Sequence, residues 1–204
     1  MVTYHKSDWE VRTDRFWAVF FNSISGPRNV FMIGTQDAQG IGNIGLFNSI
    51  AHIGANPPLL GFILRPTSVE RHTYENLKTH GTYTINHSAS HLVDQTHQSS
   101  AKYARDVDEF DVIGFEKEYL DGFQAPFIKE SRIKLGLSFV EEHLIQANDT
   151  RLIIGKIEHV ILDEDLVAAD GFVNTADADS LLVSGLDAYH RHQLIERKPY
   201  ARPR

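Results

Sequence analysis

Two long strand-like segments in the C-terminal half of the chain constrain its fold most strongly. Residues 132–146 alternate apolar with polar side chains through Leu135, Leu137 and Phe139, and residues 150–161 are rich in β-branched side chains. Long β-strands need partner strands for their backbone N–H and C=O groups, and a closed barrel supplies those partners without leaving long exposed edges. These segments therefore predict a mainly β fold.

The N-terminal half adds shorter strands, together with helices that are joined to them by short turns. The predicted strands span 29–35, 41–51, 59–65 and 82–86, with a turn at 37–40. The predicted helices span 14–22 with Thr13 as N-cap, 67–80 and 88–99, and 106–115 is predicted to be a short helical or irregular excursion. No repeat or linker interrupts the sequence. We expect an antiparallel barrel with short helices, in a single domain over 1–204 with 1–28 as an N-terminal helical extension.

Charge and cysteine content exclude several classes of protein. The 204 residues have a net charge of −7, the wrong sign for a protein that binds the phosphate backbone, so no nucleic-acid partner is expected. Without cysteine the chain forms neither disulfides nor thiolate metal sites. The longest apolar run, Leu59 to Leu64, is too short to cross a bilayer, and acidic residues stand where a signal peptide needs apolar ones. We expect a soluble cytoplasmic protein with no membrane partner.

A glycine pattern near residue 40 matches the dinucleotide-binding fingerprint G-x-G-x-x-G. It runs from Gly40 to Gly45. The fingerprint requires a helix to begin there, with its N-terminus facing the pyrophosphate. The residues that follow are strand-like and reach Pro57 and Pro58 too soon for a crossover helix. We interpret these glycines as part of a β-hairpin.

A stronger signal for ligand binding stands at the junction of the third strand and the following helix. The residues there are Arg65-Pro66-Thr67-Ser68, and Arg71-His72-Thr73 follow within a turn and a half. The spacing Thr67-Ser68-Val69-Glu70 is typical of a capping box, and a helix N-terminus attracts anions through its free N–H groups. An anion site is one interpretation. The other is that the hydroxyls only cap the helix and that both arginines are solvated.

Several short motifs stand in an order that is specific as a set. They are Gly34-Thr35-Gln36-Asp37 with Gly40 and Asn43, Phe47-Asn48-Ser49-Ile50, Asn56-Pro57-Pro58-Leu59-Leu60, Arg65-Pro66-Thr67, Thr73-Tyr74-Glu75-Asn76, and Gly81-Thr82-Tyr83-Thr84-Ile85-Asn86. In these motifs the chain resembles the flavin reductase family, whose fold is the FMN-binding split β-barrel. The resemblance extends from about Asn29 to the C-terminus.

The resemblance implies a binding site for FMN. The polar edge of the flavin ring would lie against Asn48, Ser49, Ile50 and Ala51, and the phosphate would be held by Arg65, Thr67, Ser68 and Thr73. A strand beside a planar ring supplies hydrogen-bond donors at fixed spacing, which agrees with this placement. The alternative for Asn48 and Ser49 is a polar pair on the outer face of a sheet.

The resemblance also implies electron transfer from NAD(P)H through the flavin, a homodimer, and a monooxygenase or other electron acceptor as partner. The flavin would do the chemistry, so no catalytic side chain is predicted. One departure from the family's pattern weakens the assignment of NAD(P)H as the electron donor. Many relatives have Gly-Asp-His before the late strand, where this chain has Asn148-Asp149-Thr150. A flavin-binding electron carrier or storage protein without nicotinamide turnover is therefore the alternative.

Histidine is frequent, with 11 residues. His91 and His97 fall on different faces of the predicted helix 88–99, and the spacing H-E-x-x-H is absent from the sequence. We therefore predict no metal site.

Overall fold

The structure is a computed structural model that describes residues 1–10 and 14–203. The strands are β1 (Arg28–Asn29), β2 (Phe31–Gln36), β3 (Gly42–Phe47), β4 (Ile50–Ala55), β5 (Pro58–Leu64), β6 (Thr82–His87), β7 (Lys117–Leu120), β8 (Phe123–Ile128), β9 (Ile133–Ile145), β10 (Thr150–Leu162), β11 (Leu182–Ser184) and β12 (Ala188–His190). The α-helices are α1 (Asp14–Ile24), α2 (His72–His80), α3 (Val93–Gln98) and α4 (Glu109–Ile113), and short 3₁₀ helices span Lys6–Glu10, Ser90–Leu92 and Glu164–Leu166.

Seven strands form the main antiparallel sheet, in the order β3-β2-β6-β9-β10-β5-β4. Strands β3 and β4 are consecutive in the chain but lie at opposite edges of this sheet. Only Asn48 and Ser49 separate them, and three residue steps span at most about 11 Å. The sheet therefore curls until its two edges approach each other at this link.

The prediction of one strand over 41–51 is wrong, because the chain leaves one sheet edge at Phe47 and joins the other at Ile50. The predicted hairpin is confirmed, since β2 pairs with β3 from Phe31 with Phe47 to Gln36 with Gly42. The glycines at 40–45 thus belong to a hairpin, as expected, and no helix follows them.

Two hydrophobic cores cover the two faces of the sheet, and β2 contributes to both. Phe31 and Ile33 point into one core, with Phe62, Leu77, Tyr83, Leu137 and Ile153 among its buried members. Met32 points the other way and packs with Ile44, Phe110 and Ile128. Successive side chains of a strand alternate between faces, so a strand between two cores is apolar throughout.

Helix α2 starts later than the capping box predicted. Its first residue is His72, and residues 66–71 form a turn. The return hydrogen bond comes from Glu75, whose Oε1 accepts from the N–H of Arg71 over 3.4 Å. Glu70 instead lies 3.6 Å from Arg105. The predicted stop is confirmed, because Gly81 adopts φ +69° and its N–H donates to the Leu77 carbonyl.

The remaining helices agree in place with the predictions but are shorter. The predicted helix 88–99 is a 3₁₀ turn followed by α3, and the excursion 106–115 contains α4, capped by Asp108. Helix α1 starts at Asp14, as predicted, while its predicted N-cap Thr13 lies outside the described residues. Strands β7 and β8 were not predicted. Among the described residues, no helix has the length and apolar character needed to span a membrane.

Candidate functional site

A cleft of about 810 Å³ opens beside β3. Its volume is within the range of cofactor and small-molecule sites. Most of its lining comes from residues 43–49, 63–65, 69–73 and 99–103, and further lining comes from Asn22, Arg28, Val30, His97, Glu109, Val183, Leu186 and Asp187. It therefore lies where the β3 edge, the turn before α2 and the loop after α3 meet.

The outer edge of β3 presents alternating backbone groups on the side away from β2. The N–H of Gly42 donates to Asp108 Oδ2 over 2.8 Å, and the N–H of Ile44 donates to Glu109 Oε2 over 2.8 Å. Alternate residues of a strand direct their N–H groups to the same side. The N–H of Leu46, a residue of the cleft wall, therefore points outward as well, away from β2.

A buried polar cluster lies behind the cleft and joins β2, β3 and α2. The Asn43 amide is hydrogen-bonded to Thr73 Oγ1 over 2.9 Å, and Asn76 Nδ2 donates to Thr35 Oγ1 over 3.2 Å. All four side chains are at most 8% exposed. Only Asn43 and Thr73 also line the cleft. The cluster therefore fixes the position of the Thr73 hydroxyl.

Positive charge is concentrated on one part of the cleft wall. Arg65, Arg71 and Lys102 line it. Arg71 Nε donates to the Pro66 carbonyl over 3.2 Å, which uses one of its five N–H donors and folds the turn before α2. The side chain of Arg65 is exposed and has no hydrogen-bond or ion-pair partner among the described residues. Such a wall, with the Thr73 hydroxyl, suits an anionic group.

The structure brings together four of the eight predicted binding residues. Asn48, Ser49, Arg65 and Thr73 line the cleft, whereas Ile50, Ala51, Thr67 and Ser68 are not among its lining residues. Asn48 Nδ2 donates to the Gly185 carbonyl over 3.0 Å, and Ser49 Oγ donates to Asn48 Oδ1 over 3.2 Å. The two polar side chains therefore tie the link between the sheet edges to the C-terminal segment.

Glu109 is the most unusual cleft residue that sequence reasoning missed. Its side chain is 5% exposed, and burial together with the nearby Asp108 charge raises the pKa of Glu109 to about 7, against the lowering effect of the Ile44 N–H. In the sequence it is one acid among several between Asp106 and Asp111. Only its burial distinguishes it, and a local pattern does not contain that information.

The histidines are dispersed rather than clustered. His87 Nδ1 lies 2.9 Å from Ser180 Oγ, and His97 Nδ1 lies 3.0 Å from the Tyr189 hydroxyl. Within the described residues, no group of three or more His, Asp or Glu side chains could hold a metal ion.

The tip of the β9–β10 hairpin contains the departure Asn148-Asp149-Thr150. Thr150 Oγ1 donates to Asn148 Oδ1 over 2.8 Å, so the Thr150 hydroxyl is hydrogen-bonded within its own turn. None of the three residues is among those that line the cleft.

A model of the flavin reductase like domain family matches residues 25–177 of the chain. No curated protein matches the chain at a significant level. The matched range contains β2 to β10 and most of the cleft lining.

Solved structures of the same architecture cover almost the whole chain. A protein from Shewanella frigidimarina, described as a flavin reductase with a split barrel domain, is 42% identical over 98% of this chain and 100% of its own, with a TM-score of 0.94. Nitrilotriacetate monooxygenase component B from Bacillus cereus is 15% identical over 97% and 98%, with a TM-score of 0.83. Flavoredoxin from Desulfovibrio vulgaris is 21% identical over 86% and 92%, with a TM-score of 0.73. The predicted split β-barrel is confirmed.

Proposed function

Because this chain belongs to the flavin reductase-like domain family, we propose that it is an FMN-binding oxidoreductase that transfers electrons from NAD(P)H to flavin or to a further acceptor. The observation that supports this most directly is the cleft, in which an edge strand, an apolar wall and a cationic wall meet. This combination suits a ligand with a planar ring and a terminal phosphate.

The residues of the cleft fit the two ends of FMN. Arg65 and Thr73 would hold the phosphate, with Thr67 and Ser68 contributing from the turn that follows Arg65. Asn48 and Ser49, continued by Ile50 and Ala51 of β4, would follow the polar edge of the ring. Thr73 also stands in the first turn of α2, where the helix dipole favours an anion.

The chain has to bind and orient the flavin and to shield it from water. It does not have to supply an acid or a base. Bound FMN would supply the redox chemistry, namely the capacity to take up a hydride from a nicotinamide and to release its electrons to an acceptor. Leu46 and Ile63 give the cleft apolar surface, which keeps water from the ring face. Arg65 and Arg71 attract the phosphate. The hydrogen bonds of Asn48 and Ser49 hold the link between the sheet edges in place.

We extend the proposal to a homodimer in the cytoplasm, in which each chain forms a single domain over residues 1–204. Strand β4 is an edge of the main sheet, four of its six residues are exposed, and the Ile53 side chain is 43% exposed. An open edge strand presents unpaired backbone N–H and C=O groups with which a strand of a second chain can pair. A monooxygenase is one candidate acceptor, supported by the similarity in fold to a monooxygenase component B.

Titration with flavins tests the binding part of the proposal. The purified protein is titrated with FMN, FAD and riboflavin, and binding is followed by quenching of flavin fluorescence. FMN should bind most tightly, because only its terminal phosphate matches the cationic wall. Equal affinity for riboflavin and FMN would overturn the assignment of the phosphate site.

Anaerobic mixing with NADH or NADPH tests the donor. The proposal expects bleaching of the bound flavin at a rate that saturates with the nicotinamide. The second candidate is a flavin-binding electron carrier without nicotinamide turnover, and it is favoured by the hairpin tip at Thr150, which lies outside the cleft lining. A carrier would be bleached by dithionite and reoxidised by an acceptor, with no reaction toward either nicotinamide.

A further inference from the structure

We propose that Glu109 and Asn43 are positioning residues for the Thr73 hydroxyl, and that the protonation state of Glu109 decides whether this hydroxyl donates a hydrogen bond into the cleft. The proposal rests on the proposed function, in which Thr73 binds the phosphate of FMN. It adds that Asn43 and Glu109, which lie behind the phosphate site, control how Thr73 binds the phosphate.

The Asn43 amide lies between the other two side chains, and its two orientations suit different protonation states of Glu109, because its Oδ1 can face Glu109 favourably only when that carboxyl carries a proton. In one, Nδ2 donates to Thr73 Oγ1 over 2.9 Å and Oδ1 faces Glu109. In the other, Nδ2 donates to Glu109 Oε1 over 3.3 Å and Oδ1 accepts from Thr73 Oγ1 over 2.9 Å. Turning the amide therefore reverses the direction of both hydrogen bonds.

The charge of Glu109 selects between the orientations. An ionised carboxylate only accepts hydrogen bonds, so it requires Nδ2 of Asn43, and the Thr73 proton then points to Asn43. A protonated Glu109 donates to Oδ1, and Nδ2 then donates to Thr73. In that state the Thr73 proton is left to donate to an anion in the cleft. Protonation of Glu109 thus converts Thr73 from an acceptor into a donor toward the phosphate.

The position of Glu109 allows proton exchange near neutral pH. It lines both the cleft and a second cavity of about 10 Å³, which has room for about one water molecule. Its pKa is raised to about 7, chiefly by burial. A neighbouring group that changes its charge in the same pH range would also shift the pKa of Glu109. The charged groups around Glu109 therefore have to be considered.

Most of these groups already have partners. On the same helix turn, Asp108 pairs with Lys117 of β7, and Asp111 is exposed. Arg105 pairs with Glu75 and Glu70, and His72 lies 3.5 Å from Glu70. The two cavities are also lined by further groups that are charged or titrate near neutral pH, namely Arg28, Asp37, Arg65, Arg71, His97, Lys102 and Asp187. Glu109 itself pairs with none of the cations among the described residues, so its pKa depends on burial, on the Ile44 N–H and on the Asp108 charge.

The test measures FMN and riboflavin affinity from pH 5.5 to 8.5 for the wild type and Glu109→Gln. Glutamine donates to Oδ1 of Asn43 at every pH, as protonated Glu109 does. The two proteins should bind FMN equally at pH 5.5, and the wild type should bind about 3- to 10-fold more weakly at pH 8.5, the effect of one hydrogen bond. Titration of the phosphate itself is common to both proteins and cancels in their ratio.

Two variants of Thr73 separate the hydrogen-bond relay from simple charge repulsion. In a Thr73→Val background, Glu109→Gln should have no pH-dependent effect, whereas Thr73→Ser should retain it. A pH-dependent ratio that persists in Thr73→Val would overturn the relay and leave repulsion between Glu109 and the phosphate. Parallel pH profiles of the wild type and Glu109→Gln would overturn it as well.

The outcome distinguishes this proposal from the proposed function. If riboflavin and FMN bind equally at every pH, the phosphate site is wrong and the relay has no ligand. If FMN is preferred but the profiles are parallel, only the relay is wrong. Infrared spectra of the flavin-free protein give an independent reading, because the carboxylic acid band of Glu109 should disappear near neutral pH and be absent from Glu109→Gln.

Discussion

The Thr73 hydroxyl occupies the space that a side chain at Gly45 would need, since a Cβ on residue 45 would lie 2.7 Å from Thr73 Oγ1. A glycine on β3 therefore allows α2 to place Thr73 against the cleft. We expect Gly45→Ala to displace Thr73 together with the Phe47 ring, whose Cε2 lies equally close, and to weaken FMN binding about 3- to 10-fold. Gly54→Ala is the matched control, because its Cβ would lie 3.4 Å from the nearest atom and Gly54 lies outside the cleft lining. Equal losses in both variants would refute this role of Gly45.

Arg65 should contribute to FMN affinity through charge. Arg65→Ala is expected to weaken FMN binding by about 1.5–3 kcal/mol, the range for a charge-assisted hydrogen bond. Riboflavin binding should change little, since riboflavin lacks the phosphate. Arg197→Ala is the control, because Arg197 pairs with Asp170 outside the cleft lining. A folded Arg65→Ala protein with unchanged FMN affinity would show that Arg65 is only a surface charge.

Tyr83 and Gly155 form a tight contact within the first core. The Tyr83 hydroxyl is buried without a hydrogen-bond partner among the described residues, and a Cβ on residue 155 would lie 2.1 Å from it. Tyr83→Phe should raise the free energy of unfolding by about 1 kcal/mol, because it removes an unsatisfied hydroxyl. Gly155→Ala should lower it by about 1–3 kcal/mol through overpacking.

The double variant tests whether these two effects are coupled. Tyr83→Phe should relieve part of the Gly155→Ala clash, so urea unfolding of the double variant should show a loss smaller than the sum of the single effects. Additive effects would indicate that the strain lies elsewhere.

Glu109 should make the fold less stable as the pH rises. Its pKa is about 7 in the folded protein, against an ordinary value of 4.5 in the unfolded chain, so the folded state binds more protons between these pH values. Stability is then lost as the pH rises from about 4.5 to 7, by up to about 3 kcal/mol. Glu109→Gln should lack this loss. Urea unfolding at pH 5 and pH 8 measures it, and an identical pH dependence in both proteins would contradict the buried titration.

His87 should make the fold less stable as the pH falls, which is the opposite of the effect of Glu109. Burial, with a smaller effect of the His192 charge, lowers the pKa of His87 to about 4 from 6.5. The unfolded state therefore binds the extra proton, and stability is lost as the pH falls from about 6.5 to 4. In the wild type the effects of Glu109 and His87 on the free energy of unfolding offset each other as the pH changes. His87→Gln should therefore lose stability when the pH is raised, and Glu109→Gln should lose stability when the pH is lowered. A wild type with the same slope as either variant would contradict this assignment.

Elements with local signals were predictable from the sequence. The hairpin at Gly40 and the helix stop at Gly81 depend on turn residues that act within a few positions, and β9 and β10 depend on alternation along one strand. The start of α2 was misplaced because two competing acids, Glu70 and Glu75, stand near the turn. Arg105 pairs with both acids, and Glu75 rather than Glu70 accepts from the Arg71 N–H, a choice that the local spacing does not contain.

The sequence by itself determined the fold class, the family and four of the residues that line the cleft, because short motifs in order and strand periodicity are properties of the linear chain. Only the tertiary structure decided that β3 and β4 lie at opposite edges of the sheet and that Asn43 meets Thr73 across 30 positions. It also decided that Glu109, 65 residues from Ile44, is buried against the backbone of β3. The environment of a carboxyl group depends on which distant segments exclude water from it, and that exclusion exists only once the chain is packed.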